Sequence, residues 1–558
     1  LQAGSRTART LERVSAGMKI DYYYRNIFVP ANVAVSAIRR AGIPVDLARL
    51  RSTASAWETK LKDLQTYVEG EAAKRGMVIK YSPAHSIDPK ILGRFLFGAN
   101  GIGLEAKGKT ATGQPSTDDD SLQWYASLKV PRDDDHPVVR AVLKIRSYAK
   151  GLGTYAKAFE QTRRADGACH PHFKWNLRTP RLAAENPPVH QIPERADREV
   201  ADAIKAWFVP RHTPPPTSEE WDPRKHGSCF RWDIAGAEAA WRAAALTYLE
   251  CSKPDPVAWE YIRLGKDIHS KTASLVYNVP EGTYKKGSYE RDQVAKNTFF
   301  AKQYGAGWST VKSTLWAKGR ILLEDQLAKD ISSNFDKGYT GLVELYEIDK
   351  DKLGKTGYCY DGYGRRRWVG LPEGVRYVGM RDGKTWWEVG GATISSGDHL
   401  ERKDYRRRSI WGQLEHNFHV QANTPTQGMN ATDNLWMLAL CYLGEYVELA
   451  VPPMWESKGI DFPEAKAWRL HEGSGPGGKP FLAWHNNTVH DSGWGDCAPG
   501  YLEAVAKLVY RRCRALPMDW RLKADVPYRV ELSVGPNIAA LKGYNSVAKQ
   551  FGLEPLPD

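Results

Sequence analysis

Arg291-Asp-Gln-Val-Ala-Lys296-Asn-Thr-Phe-Phe300-Ala-Lys-Gln-Tyr304-Gly305 is the stretch on which the reading of this chain turns. As a helix it sets Lys296, Phe300 and Tyr304 along one side, because helix neighbours lie three and four positions apart. That side offers a cation for phosphates, a ring for a base and a second ring near a sugar. An amphipathic helix that snorkels a lysine to solvent has the same pattern, so the stretch needs company. Two aspartates supply it. Phe230-Arg-Trp-Asp233-Ile-Ala-Gly-Ala-Glu238 reads as a strand that ends in an acid and opens into an alanine-rich helix, a geometry that aims side chains at ligands. Asn487-Thr-Val-His490-Asp491-Ser492-Gly493 reads as a short strand reaching a tight turn. If the two strands are neighbours in one sheet, Asp233 and Asp491 meet. Paired carboxylates suit two divalent ions, about 3.5–4 Å apart, that clamp a phosphoryl group. Hard oxygen donors favour Mg²⁺ or Mn²⁺ over zinc.

Composition sets outer bounds. A chain of 558 residues is long enough for several cores. A formal charge of +14 favours a polyanionic partner. The seven cysteines show no C-x-x-C pairing, which points to reduced thiols in a cytosolic setting. Cys169-His170-Pro-His172 reads as a loop rather than a metal cluster, since no second ligand pair is near it in sequence. No apolar run approaches 18 residues, so no membrane span is predicted. Leu1-Gln-Ala-Gly-Ser-Arg6 has neither an initiator Met nor a signal core and reads as the start of a trimmed chain.

Helical spacing recurs at Trp57, Leu61, Leu64 and Val68, and again at Val139, Val142, Leu143, Leu152 and Phe159. Lys144, Arg146 and Lys150 sit between the latter, so these helices suit a lobe that grips a duplex through its phosphates. Gly98 to Asp120 reads as a loop. Residues 208–229 form a Pro-rich connection, and 350–400, rich in Gly, aromatics and Arg, read as an antiparallel ribbon insertion. Gly473-Ser-Gly-Pro-Gly-Gly478 marks a turn before the strand of Asp491.

Taken together, and in this order, the motifs resemble those of family A DNA polymerases, the bacterial DNA polymerase I and phage replicase type. Arg181-Leu-Ala-Ala-Glu-Asn-Pro187-Pro-Val-His190 resembles the segment that opens the palm. Asp233 with Glu238 resembles motif A, Asp267-Ile-His269 the signature before the fingers, and Lys296, Phe300 and Tyr304-Gly305 motif B. Asn423-Thr-Pro425-Thr-Gln427-Gly428 resembles the palm helix that touches the template and primer. His490-Asp491 resembles motif C, and Val526-Pro527 through Glu531-Leu-Ser-Val-Gly535 the closing palm strand. The resemblance implies an α+β right-hand fold with an antiparallel-sheet palm, a helical thumb and helical fingers. Its expected divisions are an N-terminal segment 1–45, thumb 46–170, palm 171–285, fingers 286–400 and the rest of the palm 401–558.

What the resemblance implies for function is template-directed DNA synthesis on primer-template DNA with dNTPs. Asp233 and Asp491 would hold two Mg²⁺ ions, with Mn²⁺ as a substitute. Lys296, Arg291 and His269 would meet the triphosphate, Phe300 and Tyr304 would pack on the nucleotide, and Glu238 would be the sugar gate. Arg181, His190, Asn423, Gln427 and His490 would face the primer and template. A monomer without a proofreading domain is expected, in the cytoplasm or that of a virus-infected host, with an organellar setting left open and replication accessory proteins as further partners. Three departures stand out. Asp292 occupies the place of the usual fingers arginine, with Arg291 one position early; one residue turns a helix by 100°, so either the helix start is distorted or another base, Lys285 or Lys286, supplies the charge. Ser492 replaces the glutamate after the motif C aspartate, and Pro180 precedes Arg181 in place of glycine. Ser492 motivates an alternative, a single-subunit phage-type RNA polymerase, against which Glu238 stands. The missing glutamate and displaced arginine motivate another, a catalytically weak nucleic-acid-binding protein.

Overall fold

The computed structural model describes residues 28–110, 112–128, 132–175, 181–193, 197–319, 321–360, 366–395, 405–443, 446–447, 465–466, 483–489, 492–514 and 529–557. Several expectations fall outside these residues: His490, Asp491, Pro180, the 473–478 turn, Val526-Pro527 and the first residues of the chain.

Helix α1 (Val29–Ala41) leads into α2 (Leu47–Ala73). The Asp46 carboxylate accepts from the Arg49 N–H, satisfying one of the donors a helix start leaves open. The inward stripe of α2 is Leu50, Trp57, Leu61 and Val68, the helical spacing predicted. Between Gly98 and Asp118 the described residues form turns and one bridge, Lys109 to Pro115. Helix α3 (Pro137–Lys150) begins with proline in its first turn, where the missing N–H costs nothing. It buries Val139, Val142 and Leu143 against α2, then continues as a π-helical turn, Gly151–Ala156.

Strand β1 (Ser228–Ala235) carries Asp233. Gly236 takes φ 65°, a left-handed conformation that glycine adopts cheaply, and swings the chain into a helical run whose Ala240–Leu246 part is again π-helical. A cluster of helices follows. These are α4 (Ile268–Tyr277), α5 (Lys296–Lys302), α6 (Trp308–Gly319), α7 (Asp325–Gly338) and α8 (Thr340–Thr356). The ribbon expected from residue 350 begins later, because α8 reaches Thr356. A hairpin (Tyr358–Tyr360 with Arg366–Trp368) precedes a three-stranded antiparallel sheet of β2 (Val375–Arg381), β3 (Lys384–Val389) and β4 (Ala392–Ser395). This insertion has its own apolar centre, where Trp387 and Val389 meet Leu353 and Phe418. Helix α9 (Tyr405–Leu443) contains Pro425. The remaining elements are β5 (Ala483–Val489), β6 (Ser492–Cys497), α10 (Leu502–Arg514), β7 (Arg529–Gly535) and β8 (Lys542–Gly543).

Five strands form one antiparallel sheet in the order β5-β6-β1-β7-β8. On β1, Phe230, Trp232 and Ile234 are buried, while Arg231, Asp233 and Ala235 alternate with them and are half-buried, the two-residue period of a strand with one face in a core. Asp233 lies opposite Ser492 on β6 and opposite Glu531 on β7. The strand read as leading to Asp491 is β5, which stands one strand away from β1; the neighbour of β1 is β6, which begins at Ser492.

Arg242, fully buried, ties the helices to this frame. Its Nε donates to the Gln303 carbonyl at 2.6 Å, Nη1 to the Ala422 carbonyl at 3.2 Å, and Nη2 pairs with Asp349 at 2.7 Å. Removing one member of a buried pair strands the other's charge. Arg242→Met is expected to cost about 3–5 kcal/mol, read as a lowered urea midpoint at pH 7. A loss below about 1 kcal/mol, the worth of an exposed pair, would show that the pair is not structural.

Candidate active site

The helix before the cleft starts irregularly, and the irregularity matters. Residues Glu290–Ala295 form a π turn, and the Lys296 N–H bonds back to the Arg291 carbonyl, five residues earlier. A π turn takes one extra residue per turn, so Arg291 comes round to the side of Lys296. Of the two possibilities left open by the sequence, a distorted helix start or a substitute base, the helix start is the one that departs from regular geometry. At its other end α5 stops at Lys302, and Tyr304 follows in the closing turn rather than in the helix. Gly305 holds φ 81°, and a Cβ there would stand 2.0 Å from the Tyr346 ring, so only glycine fits.

A cleft of about 940 Å³ opens between the sheet and these helices. Its lining includes Asp233, Glu238, Lys296, Phe300, Tyr304, Arg181, His190, Asn423, Gln427 and Ser492. Glu238 is the centre of a polar knot. It accepts from the Tyr304 hydroxyl at 2.5 Å, from Arg181 Nη2 at 3.1 Å and from Gln303 Nε2 at 3.4 Å. Burial, then the Glu238 charge, pushes the Tyr304 phenol well above its usual range, so Tyr304 remains a donor to Glu238.

Arg291 and His269 stand behind the lysine. Arg291 donates Nε and Nη2 to Asp267 at 3.0 and 2.8 Å, and Nη1 to Asp292 at 2.5 Å. Burial works against ionisation of Asp267, yet the Arg291 guanidinium and the Ser270 hydroxyl hold its carboxyl down at about 2. The His269 ring packs near Phe299 and Phe300, and its buried Nδ1 has no hydrogen-bond partner among the described residues. Burial first, then the charges of Arg291 and Lys296, lowers its pKa to about 4.

The primer-side expectations divide. Arg181 is held by Glu238, and Asn423 keeps a buried Oδ1 with no partner among the described residues. His190 lines the cleft, but both ring nitrogens are engaged, Nδ1 with the Leu182 carbonyl at 3.1 Å and Nε2 with the Asn487 amide at 3.2 Å. It is therefore not a free donor in this state. Asn487 was not singled out by its own chemistry. It becomes visible only with the β-bulge between His485 and Asn487, since bulges re-aim side chains. Thr310, Thr314 and Lys318 of α6 also line the cleft, as does His419, whose Nδ1 lies 2.9 Å from the Tyr304 carbonyl. Their signal was present, as four-residue steps along α6 and as His419, Asn423 and Gln427 along α9.

Around Asp233 the donors are oxygens: its own carboxylate and the Ser492 hydroxyl on the paired strand. Such donors fit Mg²⁺ or Mn²⁺. Among the described residues no group of three His, Cys, Asp or Glu side chains forms a ready cation cage. Six cysteines are described, all of them free thiols. Cys169-His170-Pro-His172 differs from the loop expected, since Cys169 ends one short strand and His172 begins another; His170 between them is bound by Asp166 at 2.8 Å and faces the Arg39 carbonyl. No helix among the described residues is long and apolar enough to cross a membrane.

Because the folded-state pKa of His269 is depressed, the unfolded chain binds more protons between about 4 and 6.5. Stability from this group is full above about pH 6.5 and is lost as pH falls toward 4. His269→Gln is expected to flatten the urea midpoint between pH 7 and 5 relative to the parent. An unchanged slope would show that the ring is protonated or exposed in the fold.

The comparisons agree with this geometry. The family model described as DNA polymerase family A matches residues 49–215. DNA polymerase I of Synechocystis sp. is 24% identical over 431 residues, covering 76% of this chain and 36% of that protein. The DNA polymerase of Escherichia phage T5 is 23% identical over 386 residues, covering 64% of this chain and 40% of that protein. The chain thus spans well under half the length of these relatives. Among solved structures, the POL domain of Pol1 from M. smegmatis, in complex with DNA primer-template and dNTP, superposes with a TM-score of 0.66 at 20% identity. That match covers 96% of this chain and 74% of the other. By family model and relatives this chain is similar to DNA polymerases of family A, and its fold is that of a Pol1 polymerase domain.

Proposed function

We propose that this chain performs template-directed DNA synthesis, adding deoxynucleotides to a primer 3′-hydroxyl with release of pyrophosphate. The observation that carries the reading is the convergence of Asp233, Lys296, Phe300 and the Glu238–Tyr304 pair on one cleft. Its partners are primer-template DNA and dNTPs, and the +14 charge suits a phosphate backbone. In this reading 46–170 is the thumb, 286–400 the fingers, and 171–285 with 401–558 the palm.

Each described residue has a task that its surroundings support, and Asp491 and His490 take theirs from the sequence. Asp233, together with Asp491, holds two Mg²⁺ ions, for which Mn²⁺ can substitute. When bound, these ions supply activation of the hydroxyl and neutralisation of the phosphates. Lys296 meets the triphosphate, and Arg291 reaches the same side by way of the π turn, exchanging Asp267 for phosphate oxygens. The Nδ1 of the buried His269, without a partner among the described residues, gives the phosphates a further contact. Phe300 packs against the base and Tyr304 against the sugar. Glu238 closes on Tyr304 where a 2′-hydroxyl would otherwise sit, so a ribonucleotide must break that bond. Arg181, Asn423, Gln427 and His490 face the primer–template duplex, and His190 orients this surface through Asn487. Ser492 favours the second reading, RNA synthesis, and the closed Glu238–Tyr304 bond opposes it.

Primer extension with Mg²⁺ tests the reading. The parent is expected to extend a primed template with dNTPs and to discriminate against rNTPs. Asp233→Asn is expected to lose about a thousandfold, the worth of several kcal/mol of charge stabilisation. Extension with rNTPs alone would establish the RNA reading, and no extension with either would reject both. Arg291→Ala is expected to raise KM for dNTP about tenfold with little change in kcat, the loss of a charged hydrogen bond to bound substrate. An unchanged KM would mean that Arg291 only braces Asp267.

A further inference from the structure

Ser492 stands where a carboxylate would be expected beside the metal-binding aspartate. The sheet offers a replacement from the opposite side. In the antiparallel register Asp233 pairs with Ser492 on β6 and with Glu531 on β7. Directly opposite residues share a sheet face, with Cβ atoms about 4.5–5.5 Å apart. Glu531 therefore projects beside Asp233 on the face that carries the cleft, at the distance over which two carboxylates can share one cation.

Two further observations favour that use. Like charges directly opposite each other destabilise a strand pair, and a cation shared by the two acids relieves that repulsion. Nor is Glu531 neutralised otherwise, for it is exposed and has no hydrogen bond or ion pair among the described residues. Arg529, its neighbour on the same face, turns its guanidinium to the Gly265 carbonyl. The buried alternation of Leu532 and Val534 fixes the register, since a slip of one residue would push both into solvent.

We infer that Glu531 is a ligand of the divalent cation held by Asp233, supplying from β7 the carboxylate that Ser492 does not supply from β6. The inference rests on the polymerase reading above. It assigns to the strand that closes the sheet a part in metal binding, beyond completing the palm.

The test is Mn²⁺ binding, counted by electron paramagnetic resonance of the free ion, with protein and a dideoxy-terminated primer-template. Glu531→Gln is expected to weaken Mn²⁺ affinity at least tenfold, as metal-site substitutions do, while primer-template affinity stays within about twofold. The double variant Ser492→Glu/Glu531→Gln moves the carboxylate to the other flank of Asp233 and is expected to recover most of the loss. Parent-like Mn²⁺ affinity in Glu531→Gln, with Asp233→Asn still defective, overturns the inference and leaves the polymerase reading intact. If Asp233→Asn also binds Mn²⁺ like the parent, and the parent extends no primer, it is the polymerase reading that fails.

Discussion

The arrangement depends on a guanidinium placed where water cannot reach it. Arg242 has no solvent to fall back on, so each of its donors must find a protein acceptor, and the acceptors come from separate elements: the Gln303 carbonyl, the Ala422 carbonyl and the Asp349 carboxylate. Gln303 is adjacent to Tyr304, and Ala422 to Asn423. The demand to satisfy one buried cation thus fixes the turn that ends α5 and the stretch of α9 that faces the cleft. A buried ion pair is seldom a net gain over apolar packing. Here its value is geometric, since it sets the separation between Glu238 and the Tyr304 hydroxyl.

From that anchor the polar knot at Glu238 follows. Its oxygens are filled by Tyr304, Arg181 and Gln303, and those donors arrive from the segment before β1 and from the end of α5. The carboxylate thereby couples the strand side of the cleft to the helix side. A shift of α5 relative to the sheet cannot occur without remaking these bonds, so opening and closing would be discrete rather than graded.

Much of this was legible in the residues. The spacing of Lys296, Phe300 and Tyr304 marked a shared face, and the Phe230, Trp232, Ile234 alternation marked β1 and its acid. What was not legible depended on local departures from regular geometry or on pairing between distant strands. The one-position shift of Arg291 announced either a distorted helix start or a substitute base, and nothing in Glu290–Ala295 says that the distortion is a π turn. The bulge that brings Asn487 to His190 is likewise silent in sequence. Glu531 was visible as part of a closing strand, but its position opposite Asp233 is a matter of register, set jointly by three strands. The 350–400 insertion was legible as antiparallel ribbon from its aromatics and glycines, yet α8 intrudes into it, since Lys350 to Thr356 satisfy a helix equally well.

Helix α2 begins in one apolar interior and ends in another. Trp57 and Leu61 belong to the main core, whereas Val68 and Ala72 belong to a separate cluster with Phe95, Val139 and Leu143. At 27 residues it is a lever about 40 Å long. A tilt of about 5° at its root would carry its far end by about 3.5 Å without disturbing either packed end. In the proposed thumb, such a limb would follow the varying width of a bound duplex while the chemistry at its base stays still.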